Sequence, residues 1–195
     1  MFVSFQPHAS AVAIFTIALP CYAASACTST DAEPRRIQAK YDQTTGRLSR
    51  LEFDSNNNGK PDTWAFMDGT RIDKLEADEN EDGKIDRWEY YPATPLPARG
   101  KPVPDRIERA TRMDGKVSRR EFFEQGSLAR IEEDTNGDGA LDKWETYAGG
   151  VLSVLALDLQ HRGNPDRKLI YRPDGTLDRI EVDPDGSGRF QPIKQ

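Results

Sequence analysis

Histidine, cysteine and long apolar runs are scarce in this sequence, and each shortage closes a route. Two histidines and two cysteines stand among 195 residues, and both cysteines, Cys21 and Cys27, fall within the first 27. Beyond that point His161 is the one imidazole and there is no thiol, so neither a Ser-His-Asp nor a Cys-His catalytic site is supported. No glycine-rich strand-to-helix turn offers a cradle for phosphates. Hydrophobic residues make up 36% and charged residues 31%, which is poor material for a thick closed core. A basic face is missing too: 33 acidic and 27 basic residues are interspersed, net charge −6, which argues against nucleic-acid binding.

Charge is absent altogether from residues 1–26, where "AVAIFTIAL" (11–19) is too short to span a bilayer and suits the apolar region of an export signal. "AASAC" (23–27) then allows two readings. One is a cut after Ala26 that releases a periplasmic or secreted protein. The other is a lipobox, in which Cys27 becomes the acylated first residue and the only link to a membrane. A lone Cys27 with no disulfide partner favours the lipid. The expected layout is a signal peptide over 1–26, a tether over 27–36 and one repeat domain over 37–195.

What is plentiful is repetition. Leu51, Leu75, Ile107, Ile131, Leu155 and Ile180 each stand three residues before an acidic or formerly acidic loop, at intervals of 24, 32, 24, 24 and 25. The longer interval contains "PATPLPARGKPVP" (92–104), whose five prolines mark an inserted extended loop. Each unit reads strand, loop, strand, glycine turn. The predicted fold is all-β: an antiparallel meander of about eleven or twelve short strands forming one long sheet that twists or curls. Alternation places Leu51 and Phe53, or Trp64 and Phe66, on one face of their strands. It assigns Glu52, Glu76, Glu108, Glu132 and Glu181, with Arg87, Arg119, Lys143 and Arg167, to an opposite, solvated charge ladder. Tyr91, Phe123, Tyr147 and Tyr171 recur at strand ends away from the tryptophans.

Three loops carry oxygen-bearing side chains at the spacing of a calcium-binding EF-hand loop. They are Asp54, Asn56, Asn58 and Asp62; Asp78, Asn80, Asp82, Asp86 and Glu89; and Asp134, Asn136, Asp138, Asp142 and Glu145. Ca²⁺ takes six to eight oxygens, which such side chains, a backbone carbonyl and water supply; Ala65 leaves the first loop one ligand short. Helices cannot flank them, because Gly149 and Gly150 would end a helix after Glu145 before it completed a second turn. The same residue types also favour plain turns. In the other units Ala110, Arg112 and Ser118, or Gln160 and Arg162, replace the ligands, and "DPDGSG" ends before a full set. His161 reads as a solvated loop residue.

The loops resemble those of thrombospondin type 3 repeats, dockerins and integrin-type propellers, which implies calcium binding outside a helical frame. "KYDQTTGRLSRLEFD" (40–54) and "YRPDGTLDRIEVD" resemble the tyrosine-aspartate hairpins of Rhs-type bacterial surface proteins, which implies hairpins. The leading expectation is a non-enzymatic, calcium-binding repeat scaffold or interaction module of the bacterial cell envelope, with an envelope protein or glycan as partner. The alternatives are a carbohydrate- or peptide-binding surface protein, whose aromatics would stack on sugars, and a carboxylate-based glycosidase.

Overall fold

The computed structural model describes residues 36–93 and 101–193; the expected signal peptide, Cys27, nearly all of the tether and the middle of the proline-rich insertion lie outside them. The described residues form thirteen strands and no helix: β1 (Ile37–Tyr41), β2 (Leu48–Phe53), β3 (Thr63–Asp68), β4 (Arg71–Ala77), β5 (Arg87–Tyr90), β6 (Arg106–Arg109), β7 (Arg119–Glu124), β8 (Ser127–Glu133), β9 (Lys143–Ala148), β10 (Val151–Leu157), β11 (Arg167–Tyr171), β12 (Leu177–Val182) and β13 (Gln191–Pro192). All join one antiparallel sheet in chain order, and β1 does not meet β13, so the sheet is open. Six repeats supply twelve strands. The thirteenth is β1, which precedes the first unit.

Each strand touches only its neighbours in the order, so the sheet is a single layer. The two rims differ. One carries the six long loops, and the other carries short turns, among them Gln125-Gly126 and Gly149-Gly150, where both residues have positive φ as the two-residue hairpin turn requires. The insertion leaves from the short-turn rim between β5 and β6, which still pair from Tyr90↔Arg106 to Arg87↔Arg109. It therefore lengthens a connection without breaking the array.

Register corrects the expected faces. Residues directly opposite on antiparallel strands share a face. Glu52 stands across from Trp64, Trp64 from Glu76, Glu76 from Trp88 and Trp88 from Glu108, so the glutamates lie among the tryptophans. On the other face Leu51 meets Ala65, Leu75 meets Glu89, Glu89 meets Ile107, and Ile131 stands between Glu121 and Glu145. Neither face is apolar and neither is a pure charge ladder. The tryptophan face is striped from β2 to β6, whereas the other face carries the apolar runs Leu51–Ala65–Leu75 and Leu155–Leu169–Ile180 with glutamates between them. Tyr91, Phe123 and Tyr147 do lie on the face opposite the tryptophans, alternating with the charged side chains of their own strands.

The stripes explain how one layer holds together. On the tryptophan face Lys74 sits 5.0 Å from the Phe66 ring centre, Arg106 4.1 Å from Tyr90 and Arg130 3.8 Å from Phe122. Each of these cations also pairs with the glutamate two residues on, as in Lys74–Glu76 at 2.5 Å and Arg130–Glu132 at 3.4 Å. A half-exposed cation on a ring contributes about 0.5–1 kcal/mol, and an exposed ion pair less. The gain lies in repetition along the sheet. Fully covered apolar side chains are few: among the described residues they are Ala65, Ala77, Ala110, Ile131 and Ala156.

A rim of six stacked loops

Counting each loop from position one, at Asp54, Asp78, Ala110, Asp134, Asp158 and Asp183, all six share one backbone. Position four has positive φ in every loop (Asn57, Glu81, Met113, Gly137, His161, Gly186), and so does the glycine at position six. In the first five loops the position-nine amide closes the loop onto the carbonyl just before position one, for instance Asp62 to Phe53 at 2.9 Å and Ser118 to Arg109 at 2.9 Å. From the second loop on, position one donates to the position-nine carbonyl of the loop before, as Asp78 does to Asp62 at 2.9 Å and Asp134 to Ser118 at 2.7 Å. The loops are thereby stacked in register with the strands.

Acidic side chains line this frame from inside. Position one is buried wherever it is Asp, and its carboxylate accepts from amides ahead of it: Asp54 from Asn58 (3.1 Å) and Gly59 (2.7 Å), Asp78 from Asp82 (3.2 Å) and Gly83 (2.8 Å), Asp134 from Gly137 (2.6 Å) and Gly139 (3.0 Å). Positions three and five are more open and cap amides two residues on, as Asn80 does for Asp82 at 3.0 Å and Asp138 for Ala140 at 2.8 Å. Such caps are the local chemistry that makes Asp and Asn favoured in turns.

Position nine separates the three full loops. In the first, Asp62 accepts from the Ser55 amide (2.8 Å), the Ser55 hydroxyl (2.6 Å) and the Thr63 hydroxyl (2.8 Å). In the fourth, Asp142 is held by the Thr135 amide (3.0 Å) and hydroxyl (2.8 Å). The second loop has Glu79 at position two and so lacks that hydroxyl. There Asp86 is 2% exposed; its Oδ2 accepts from the Glu79 amide at 3.2 Å, and its buried Oδ1 has no protein partner. Burial pushes the Asp86 carboxyl above its ordinary range, and Asp82 and Asp78 push it further against the pull of two amides. Asp134 goes the other way: burial raises it, but the amides of Gly137 and Gly139 and the charge of Arg112 outweigh burial and hold it low.

The expected late ligands stand elsewhere. Glu89 and Glu145 are the third residues of β5 and β9, and strand geometry turns them onto the sheet face. Glu89 accepts from Arg87 (2.6 Å) and the Tyr91 hydroxyl (2.5 Å). Glu145 pairs with Lys143 (2.7 Å) and accepts from the Tyr147 hydroxyl (2.6 Å). With both oxygens of each carboxylate engaged, neither closes its loop. Among the described residues no three carboxylate, imidazole or thiol side chains already converge to hold an ion. A hard cation here would therefore draw on Asn side chains, backbone carbonyls and water as well.

Neighbouring loops are also tied through side chains, which the sequence reading missed. Glu81 at position four of the second loop accepts from Asn58 of the first at 2.6 Å and from Asn56. His161 Nδ1 lies 3.2 Å from Asn136 Nδ2. Arg112 of the third loop donates to the Asp134 carbonyl at 3.1 Å and reaches its carboxylate at 3.3 Å, and Arg162 of the fifth donates to the Asp183 carbonyl at 3.1 Å. Each guanidinium lies over the position-four residue of the next loop, where a Cβ would come within 2.6 Å (Gly137) or 2.9 Å (Gly186) of it. Glycine stands at position four in those two loops alone. The pairing of arginine with the following glycine was the signal available in the sequence.

No family model matches the chain, and no curated protein matches it. Among solved structures it is similar to a crystal structure of a mutant of S. aureus TarM in complex with fondaparinux, alpha-GlcNAc-glycerol and UDP, with 15% identity and a TM-score of 0.27 over 63% of this chain and 20% of that one. It is similar also to a crystal structure of TarM, with 18% identity and a TM-score of 0.26 over 60% of this chain and 18% of that one. Likeness at that level assigns neither fold nor function.

Proposed function

We propose that this chain is a non-enzymatic, calcium-stabilised repeat scaffold of the bacterial cell envelope, exported by its charge-free leader and anchored by acylation at Cys27. The observation that carries the calcium reading is the third loop. With Ala110, Arg112 and Ser118 in place of acids it keeps the positive φ values at Met113 and Gly115 and the same closing bond, so the turn itself does not need carboxylates. The oxygens gathered in the first, second and fourth loops exceed what turn formation asks. Oxygen-only donors suit a hard cation, and the orphaned buried Oδ1 of Asp86 is an atom that such an ion would satisfy. Calcium fits better than magnesium, which gives up its waters reluctantly. Asp78, Asn80, Asp82 and Asp86 of the second loop would hold it, Asp134, Asn136, Asp138 and Asp142 being the equivalent donors of the fourth, and the ion would supply charge neutralisation at a crowded rim.

Support for a non-catalytic role comes from the sheet, where glutamates of both faces, such as Glu76 and Glu121, are paired with nearby cations. The reading is tested by melting the protein in millimolar calcium and in chelator while following tryptophan emission. Calcium should raise the melting temperature and alter the emission of the tryptophans at position eleven. Asp78→Ala should reduce that gain, whereas Asp158→Ala should retain it. Identical curves with and without calcium would reduce the loops to turns.

A second reading is favoured by the half-buried Trp64, Trp88 and Trp144, which share one face of a sheet with no second layer among the described residues. Carbohydrate or peptide binding on that face would show on a glycan or peptide array, and Trp88→Ala should abolish it.

A further inference from the structure

Three loops match the calcium pattern on paper, but they differ in what already occupies their acids. In the first, Asp62 is saturated by hydroxyls and an amide, the side-chain nitrogens of Asn56 and Asn58 are tied to Glu81, Asp54 and Asp62 are the two carboxylates, and no buried carboxylate oxygen is orphaned. In the fourth, Asp142 is held by Thr135 and Asn136, and the guanidinium of Arg112 lies against Asp134. A tethered positive charge there repels a divalent ion and takes up lone pairs that it would use. The second loop has neither device. Among the described residues no guanidinium pairs with its Asp78, Asp82 or Asp86, which do not already converge on one point. Its Glu79 is drawn outward to Arg87 (2.8 Å) and Arg109 (3.8 Å), and Lys84 approaches Asp82 only at 3.8 Å on the exposed side. Asp86, 2% exposed, keeps a buried oxygen with no protein partner.

Resting on the calcium reading, we propose that the second loop is the open divalent-cation site of the array, and that the fourth is held closed by Arg112, a built-in cation supplied by the loop before it. In the sixth loop Arg162 likewise crosses Gly186, where it donates to the Asp183 carbonyl. The third and fifth loops, which lost their own ligands, thus each send an arginine to position one of their successor.

Calorimetric titration of the chelator-stripped full chain with calcium alone tests this. Wild type should show one dominant site. Asp86→Asn should weaken it by roughly tenfold or more, and Asp142→Asn by less than about twofold. Glu79→Thr gives Asp86 the hydroxyl that Asp62 and Asp142 enjoy. It should weaken binding while leaving the calcium-free melting temperature at least as high, which separates loss of the site from loss of the fold. Arg112→Ala should add a second, weaker site, because Asp142 keeps its Thr135 hydroxyl. The proposal is overturned if Asp142→Asn costs as much as Asp86→Asn, if Glu79→Thr binds like wild type, or if Arg112→Ala leaves the stoichiometry unchanged. Wild type that binds calcium equally in two loops contradicts this proposal alone. Wild type that binds none contradicts the calcium reading with it.

Discussion

The guanidinium of Arg112 lies against both the carbonyl and the carboxylate of Asp134, 22 residues away and one loop further along the rim. It reaches them over Gly137, whose φ is 87° and whose missing side chain leaves the passage open. Gly137→Ala should therefore destabilise the protein twice over, by strain at a left-handed residue and by collision with Arg112, in total about 2 kcal/mol. In the Arg112→Ala background the collision disappears, and the same substitution should cost only about 1 kcal/mol. Chemical denaturation of the four proteins of this cycle measures the coupling. A zero coupling energy would mean that Arg112 does not occupy the passage.

The backbone shared by all six loops makes a prediction in the opposite direction. Met113 is 42% exposed and held at φ 54°, a conformation that glycine adopts without strain. Met113→Gly should stabilise the protein by about 0.5–1 kcal/mol, read as a higher denaturation midpoint at an unchanged slope. Glu81→Gly at the equivalent position should not, because it removes the carboxylate that accepts from Asn56 and Asn58.

Tyr91 and Tyr147 donate their hydroxyls to Glu89 and Glu145 on the sheet face. Burial first, then the neighbouring carboxylate, push both phenols well above the ordinary tyrosine value. Because the folded state keeps these protons longer than the unfolded chain, the stability they give is complete below a pH of about 10 and is lost as pH rises beyond it. Ultraviolet titration should show both phenols ionising only as the sheet melts. In Tyr91→Phe and Tyr147→Phe, stability should fall less steeply above that pH, from a starting point about 1 kcal/mol lower at neutrality. An alkaline limb unchanged by either substitution would contradict the assignment.

Much of this architecture was legible because its signals are local. The interval from Leu51 to Leu75 and onward gives the repeat, alternation gives the strands, and Gly59, Gly83 and Gly139 give the loops. Two things were not legible, for one reason. Alternation says which residues share a face within a strand, but the number of residues in the connection decides which face of the next strand joins it. That parity places Glu52 beside Trp64, and no composition rule reveals it. Glu89 and Glu145 hold the twelfth position, which an exiting helix would bring back to the loop. A strand starting at position ten points that residue onto the sheet face instead, beside Arg87 or Lys143.

Whether the rim holds calcium is decided by equilibrium dialysis. The chelator-stripped full chain would be dialysed against calcium across about 10⁻⁵ to 10⁻² M, a range that brackets extracellular calcium modules. The account predicts saturation at about one calcium ion per chain, with Asp86→Asn losing most of it and an equal concentration of magnesium failing to replace it. Calcium no higher inside the bag than outside across that whole range would contradict it.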